Sequence, residues 1–490
     1  MVSEDDITRF IYSNLRETPI LVKNMIYPGG QPLPTRNAYK KIEMYVNDFV
    51  THRKKGTIER WLVLPGLRGT GKTTIVFQIY DYLTKDIGIP KDNILYLTAS
   101  EVKNYLGIGI RDVINQFIRD VHRTTLVELD KKLFIIIDEA HFDPDWDETI
   151  KVLYDKTAGK ENVFIIITGS SSIALEMGAD SVRRKIKTDV FPMNFQEYLK
   201  LKLDFYPPGG TSNAIRTLIF DGPTTDNVKL IQTIENTLMK QFLNLPVLVD
   251  HELKDYIYCR GFPFGINLDA SVLYKKVAEL IDKIICDDLT IVYNYEADSK
   301  SDITKMLMFL ALKPSGEVSQ TKLSNNLGIP SARVNQTLMA LEKTHLIFSI
   351  KPYEGAKGTV RDAWKYYFLS PTIKASLLHN YGRFDRLDKV MYGELVENAV
   401  ISSFFRMMKT INKPTGIFYD SEKGGADFIL TYGDKLIPVE VGSGKKEGKQ
   451  VLKTARRHKQ VEHKIIISND EKIKIVDDIV FLPLKTFLFS

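Results

Sequence analysis

The chain has 490 residues, 44% of them hydrophobic, which is room for about three domains with ordinary cores. Its two cysteines, Cys259 and Cys286, exclude a disulfide framework and point to a reducing compartment. The formal charge of +6 is small for this length, the polar start from Met1 to Arg16 is not a signal peptide, and no apolar run approaches the roughly 20 residues of a membrane helix. A cytoplasmic α/β protein without a membrane partner is the expectation.

Residues 1–60 read as a leader with helical pieces, broken at Tyr27-Pro28-Gly29-Gly30-Gln31-Pro32-Leu33-Pro34 before a helix over Tyr39–Arg53. Trp61–Leu64 then reads as a buried strand. It runs into Gly66-Leu67-Arg68-Gly69-Thr70-Gly71-Lys72-Thr73-Thr74 and an amphipathic helix from Ile75 to Leu83. Strand, Gly-x4-Gly-Lys-Thr and helix, in that order, are the context of a phosphate-binding loop. Glycines let consecutive N–H groups curl toward phosphate oxygens, and the helix aims its positive end at the same anion. Lys72 is expected to reach the β- and γ-phosphates and Thr73 to hold Mg²⁺.

Asn93–Leu97 reads as a second strand and Ile110–His122 as a helix. Leu133–Ile137 is a buried parallel strand whose C-terminal tip carries Asp138 and Glu139, the end at which α/β proteins bind ligands. Asp138 lies 66 residues after Lys72, beyond one strand–helix unit, and suits the Mg²⁺-side carboxylate. Glu139 is placed to polarise the attacking water. A further strand over Val163–Ile167 ends in Thr168, Gly169 and Ser170, hydroxyls that can orient that water or cap the next helix. Arg183 and Arg184 offer guanidinium groups to the γ-phosphate in cis or from a neighbouring subunit; plain surface arginines are the competing account.

Those motifs, with Phe191-Pro192-Met193-Asn194-Phe195-Gln196-Glu197-Tyr198-Leu199, resemble the archaeal and bacterial AAA-type ATPases that carry a DUF4143-like C-terminal region. That family usually has Gly-Arg where Arg183-Arg184 stands here. Asp255–Pro263 resembles its Tyr-Leu-x-x-Gly-Gly-Phe/Tyr-Pro element, with Arg260 in place of the first glycine. The resemblance implies ATP as the nucleotide, a helical lid, and assembly into homo-oligomers in which one subunit's arginine completes the next one's site. The expected domains are a leader (1–60), a P-loop ATPase core of AAA/ASCE type (61–199), a helical lid with an insert (200–298), a winged helix (299–382) and a nuclease-like domain (383–490).

The helices Ile303–Leu312, Gln320–Leu327 and Ser331–Lys343, with Ser331 read as an N-cap, precede two strands, Leu346–Ile350 and Lys365–Leu369. This order resembles a winged helix, which commonly puts its second helix in a DNA major groove. Arg333 and Lys343 are the cations that helix carries, so protein contact is an equal reading. Glu397 on a helix, Asp427 and Glu440 on two strands resemble the core of PD-(D/E)xK nucleases, which implies that they hold a metal and cut a phosphodiester. The lysine expected two residues after Glu440 is replaced by Gly442, with Lys445 and Lys446 following in the loop, so a nuclease-like fold kept for binding or assembly is the competing reading. From Ser443 to Lys464, Lys445, Lys446, Lys449, Lys453, Arg456, Arg457, Lys459 and Lys464 face only Glu447 and Glu462, a net +6 equal to that of the whole chain. Such a segment serves DNA or RNA backbones, or is a solvated helix face.

Three functions are therefore in play: an ATP hydrolase acting on something held by the C-terminal region, an ATP-dependent metal nuclease, and a nucleotide switch that oligomerises or binds protein with little turnover.

Overall fold

The computed structural model describes residues 2–51, 59–169, 184–289, 297–313, 316, 318–353, 363–411, 413–444 and 446–490. The chain divides into two compact units, Met1–Phe191 and Pro192–Ser490.

The first unit is built on a parallel sheet of five strands in the order β2-β3-β4-β1-β5. They are β1 (Trp61–Pro65), β2 (Ile94–Thr98), β3 (Leu133–Asp138), β4 (Val163–Gly169) and the short β5 (Ile186–Lys187). Every residue of β1, β3 and β4 is buried, as runs of Ile, Val, Leu and Phe must be when helices cover both faces. On one face Trp61, Leu97, Ile135 and Ile165 pack with the helix Ile110–Asp120; on the other Leu64, Ile136 and Ile166 pack with the helix Lys72–Lys85.

The two helices that precede β1 belong to this core. The helix Glu4–Ile26 starts with a Ser3–Asp6 capping box and buries Ile7, Ile11 and Leu15 on one face of the sheet and Val22 and Ile26 on the other. A second helix, Asn37–Thr51, adds Ile42, Val46 and Phe49. Arg60, 1% exposed, donates to the Tyr154 and Val163 carbonyls and so ties the start of β1 to its neighbours.

The second unit holds a nine-stranded mixed sheet in the order β13-β14-β12-β11-β10-β9-β7-β8-β6. Its strands are β6 (Val318–Ser319), β7 (Ile347–Pro352), β8 (Ala363–Phe368), β9 (Thr415–Tyr419), β10 (Phe428–Tyr432), β11 (Lys435–Val441), β12 (Lys464–Ser468), β13 (Lys474–Val476) and β14 (Ile479–Pro483). The β7–β8 hairpin follows the helices Gln320–Leu327 and Ser331–Lys343. It does not end there: Lys351 and Pro352 of β7 pair in parallel with Phe418 and Tyr419 of β9, so hairpin and C-terminal strands form one sheet. Ser331 is the first helical residue rather than the cap, and Pro330 precedes it.

The segment after Pro192 is helical. Two of its helices, Thr211–Asp221 and Thr225–Leu243, are fastened to the C-terminal strands. His463 Nε2 lies 2.8 Å from the Ile219 carbonyl, and the buried Glu235 carboxylate accepts from the Ile473 N–H at 3.0 Å and the Thr486 hydroxyl at 3.2 Å. Phe489, next to the last residue, packs against Phe195, Phe205 and Phe242.

Candidate functional site

Parallel pairing sets the C-terminal ends of β1, β4 and β3 side by side: Leu64 is opposite Thr168, and Thr98 of β2 is opposite Asp138. The glycine loop leaves β1 at this edge. Gly69 and Gly71 have φ of 76° and 87°, and a Cβ on Gly66 would lie 2.3 Å from the Val190 carbonyl oxygen, so the curl needs glycine at these places. Lys72 opens the helix, and its ammonium, folded back into the loop, donates to the carbonyls of Gly66 at 2.8 Å and Leu67 at 2.9 Å.

Asp138 gathers the polar groups of four elements. Its Oδ2 accepts from the Thr73 hydroxyl at 2.6 Å and from the Tyr96 hydroxyl at 3.2 Å. Its Oδ1 accepts from the Thr168 hydroxyl and, at 3.1 Å, from the Glu139 N–H. Glu139 stands in the left-handed region at φ 53°, a strained place for a side-chain-bearing residue. Its carboxylate accepts from Ser100 at 3.3 Å. Burial and the neighbouring Asp138 charge push its carboxyl above the usual range, while Arg68, Ser100 and Lys72 pull it down. Burial, with the charges of Arg68 and Lys72, holds the His141 imidazole neutral, its pKa lowered to about 3.

The structure thus brings together Gly66 to Thr73, Asp138, Glu139 and Thr168. Thr74 faces away, its hydroxyl 3.9 Å from the Met25 sulfur. Ser170 and Arg183 lie outside the described residues. Arg184 is not brought to the cluster. Its guanidinium grips Asp155 at 2.9 Å on the last turn of the helix Trp146–Lys156. It precedes β5, at the N-terminal edge of the sheet, opposite the glycine loop.

Sequence reasoning missed Tyr96, Ser100, His141 and above all Arg36. The buried Arg36 guanidinium donates to the Thr70 carbonyl at 2.5 Å and the Phe191 carbonyl at 3.0 Å, bracing the glycine loop from behind. Its one sequence signal is a lone arginine between a proline-rich break and a helix.

In the second unit Asp427 and Glu440 face each other, because Phe428 pairs with Val439 across β10 and β11. Asp427 accepts from the Val441 N–H at 2.7 Å; burial and the charge of Glu397 raise its pKa to about 6. Glu397 does not close the set: it accepts from the buried Tyr367 hydroxyl at 2.7 Å. Among the described residues no three His, Cys, Asp or Glu side chains converge for a metal, which corrects the expectation of a three-carboxylate site and leaves the Asp427–Glu440 pair.

The basic segment is largely engaged. Lys446 pairs with Glu440, Lys449 with Glu447, Arg457 with Asp420 and Lys464 with Asp478. Arg456 and Lys459 are exposed, and Lys445 lies outside the described residues. On the helix after the turn, Arg333 pairs with Asp302 at 3.0 Å.

A parallel sheet in this order, with a glycine loop after β1 and an acidic pair after β3, defines a P-loop ATPase domain of AAA type. The model of the AAA domain family AAA_14 matches residues 59–199, and two families described as domains of unknown function, DUF8612 and DUF4143, match 250–382 and 392–487. The uncharacterized protein MJ1637 of Methanocaldococcus jannaschii is 32% identical over 98% of this chain and 93% of its own length. MJ1544 of the same organism is 24% identical over 85% of the chain and 84% of its own length. The chain belongs to the family of MJ1637: AAA-type ATPases with a DUF4143 C-terminal region. Solved structures to which the chain is similar include the Walker-type ATPase PABY2304 of Pyrococcus abyssi (TM-score 0.37, 14% identity, 71% of this chain and 96% of that one). Another is the Aeropyrum pernix ORC1 protein in complex with DNA (TM-score 0.31, 12% identity, 73% and 96%). Among the described residues no helix is long and apolar enough to cross a membrane.

Proposed function

We propose that the protein binds and hydrolyses ATP with Mg²⁺, and that its nucleotide cycle acts on a substrate or partner held by the C-terminal unit. The observation that carries this reading is Asp138, hydrogen-bonded at once to Thr73 of the glycine loop and Thr168 of β4, with Glu139 beside it. These oxygens fit Mg²⁺, which takes one or two carboxylates, waters and phosphate oxygens. Gly66 to Thr73 cradle the phosphates. Lys72 leaves its two carbonyl partners for the β- and γ-phosphates, Thr73 and Asp138 hold the Mg²⁺ shell, and Glu139 takes the proton of the attacking water. Thr168 fixes Asp138 and the Glu139 backbone. The arginine for the γ-phosphate then comes from Arg183 or from a second copy of the chain, since Arg184 is occupied by Asp155 in its own subunit.

Two substitutions test this. Lys72→Ala abolishes ATP binding by isothermal titration. Glu139→Gln retains binding and slows turnover by roughly 10²–10⁴-fold, the share of a general base. Normal hydrolysis by Glu139→Gln would end the assignment of that residue.

The second reading is a metal-dependent nuclease site in the C-terminal unit, favoured by the facing carboxylates of Asp427 and Glu440. Nucleic acid is the partner it requires, DNA or RNA, with Arg456 and Lys459 exposed to meet phosphates. Incubation of the full chain with Mn²⁺ and single- and double-stranded DNA and RNA tests it; no cleavage, or cleavage indifferent to Asp427→Ala, removes it.

A further inference from the structure

Tyr96 interrupts the aliphatic run of β2, between Leu95 and Leu97. It is 6% exposed and belongs to the face of the sheet that the helix Lys72–Lys85 covers. Its ring meets Phe77 edge-on at 4.9 Å, and Phe77 stands one turn beyond Thr73 on that helix. Two residues on, Thr98 shares the face of Tyr96 and lies opposite Asp138 of β3. The Thr98 hydroxyl donates to the Tyr96 oxygen at 3.3 Å, and the Tyr96 hydroxyl donates to Oδ2 of Asp138 at 3.2 Å. Among the described residues Oδ2 is the acceptor of that phenol, and no other is present. A buried tyrosine hydroxyl needs such a partner, and at neutral pH a phenol is protonated, hence a standing donor.

The two oxygens of Asp138 are held differently. Thr168 and the Glu139 N–H hold Oδ1, both from the strand tips beside it. Oδ2 takes Thr73, from the glycine loop's helix, and Tyr96, from the interior of a strand that carries no motif. A carboxylate held at one oxygen alone can still swing the other. Thr73 is the residue expected to serve Mg²⁺ as well. Tyr96, wedged by Phe77, has nothing else to serve. Hydrogen bonds of this kind set the orientation of a carboxylate that takes part in a metal shell, and losing one typically costs about 10–100-fold in metal affinity or activity.

We propose that Tyr96 is a positioning residue of the Mg²⁺ site, fixing Oδ2 of Asp138 for the cation and tying it, through Phe77, to the helix that carries Lys72 and Thr73. This rests on the reading of Gly66 to Thr73, Asp138 and Glu139 as an ATP site. Tyr96 acts through Asp138 and not on the nucleotide. Nucleotide binding without metal is therefore indifferent to the phenol, and binding of the cation to the nucleotide-loaded protein depends on it.

The test uses the full chain and Tyr96→Phe, which keeps the ring against Phe77 and removes the hydroxyl alone. A fluorescent ATP analogue reports nucleotide affinity in EDTA, electron paramagnetic resonance of free Mn²⁺ reports cation affinity in the presence of the analogue, and turnover is titrated with Mg²⁺. Nucleotide affinity in EDTA is expected to match the wild type, while Mn²⁺ affinity falls ~10-fold or more. The Mg²⁺ concentration for half-maximal turnover rises by the same factor, and the kcat reached at saturating Mg²⁺ is that of the wild type. Thr98→Val, which leaves the phenol on Asp138 and removes its own donor, lowers Mn²⁺ affinity by a smaller factor; it carries the test if Tyr96→Phe does not fold, and wild-type Mn²⁺ affinity in it then overturns the proposal. Undiminished Mn²⁺ affinity in Tyr96→Phe, or a loss of nucleotide affinity in EDTA as large as the loss with Mn²⁺, overturns the role of Tyr96 and leaves the ATP site standing. A wild type that binds no nucleotide, or binds it without taking up Mn²⁺, overturns both.

Discussion

Arg36 is a charged group that the fold has taken out of water to hold two carbonyls, and its removal leaves Thr70 and Phe191 without their donor. Losing a buried donor of this kind costs roughly 1–3 kcal/mol. Arg36→Ala is accordingly expected to lower the urea midpoint and to weaken ATP binding, because the Thr70 peptide belongs to the loop proposed to cradle the phosphates. Wild-type values for both would show that the brace is idle. Arg36 was not legible in the sequence, whereas Lys72, Thr73, Asp138 and Glu139 were. Each of the latter sits at a place set by its own local pattern, the end of an apolar strand or the start of a helix. Arg36 works on residues far along the chain, and no local pattern encodes that. The same limit applied to Arg184: its distance from Pro192 was readable, its grip on Asp155 was not.

Elements were easier to read than their partners. The strands of the first unit announce themselves as apolar runs, and the helices Gln320–Leu327 and Ser331–Lys343 have the ends the sequence indicated. What the helices after Pro192 pack upon was hidden, since amphipathicity says that a face is buried and not against what. His463 makes one such packing testable. Burial lowers its imidazole pKa below the ordinary 6.5, and its ring lies against Gly222 with Nε2 on the Ile219 carbonyl. The unfolded chain thus takes up a proton first, so this contribution is intact above about pH 6.5 and is lost as pH falls toward the folded value. Thermal unfolding from about pH 7.5 to about pH 5.5 is expected to show a steeper loss of Tm in the wild type than in His463→Gln. Equal slopes would place the titration elsewhere.

At the scale of the molecule, the region matched by the AAA family model begins at residue 59, after both N-terminal helices. Those helices bury Ile11, Ile42, Val46 and Phe49 completely, together with Ile7, Leu15, Val22 and Ile26. At roughly 1.5–3 kcal/mol per buried apolar side chain, their loss is about 12–24 kcal/mol, as large as the whole 5–15 kcal/mol by which a domain is stable or larger. Residues 1–191 expressed alone are expected to unfold cooperatively with a Tm raised by ATP; residues 59–191 are expected to be unfolded or aggregated by circular dichroism and light scattering. A folded, ATP-binding 59–191 fragment would contradict this.

The continuity of the nine-stranded sheet has a consequence for how copies of the chain can meet. A strand at the border of a sheet is an open row of amide and carbonyl groups, ready to recruit another chain. Here the borders are β6, two residues long, and β13, three. Neither offers enough backbone for a stable added strand. By fusing the hairpin to the C-terminal strands, the fold replaces two pairs of borders with one and shortens both that remain. A chain recruited along β6 or β13 would therefore gain only two or three residues of ladder.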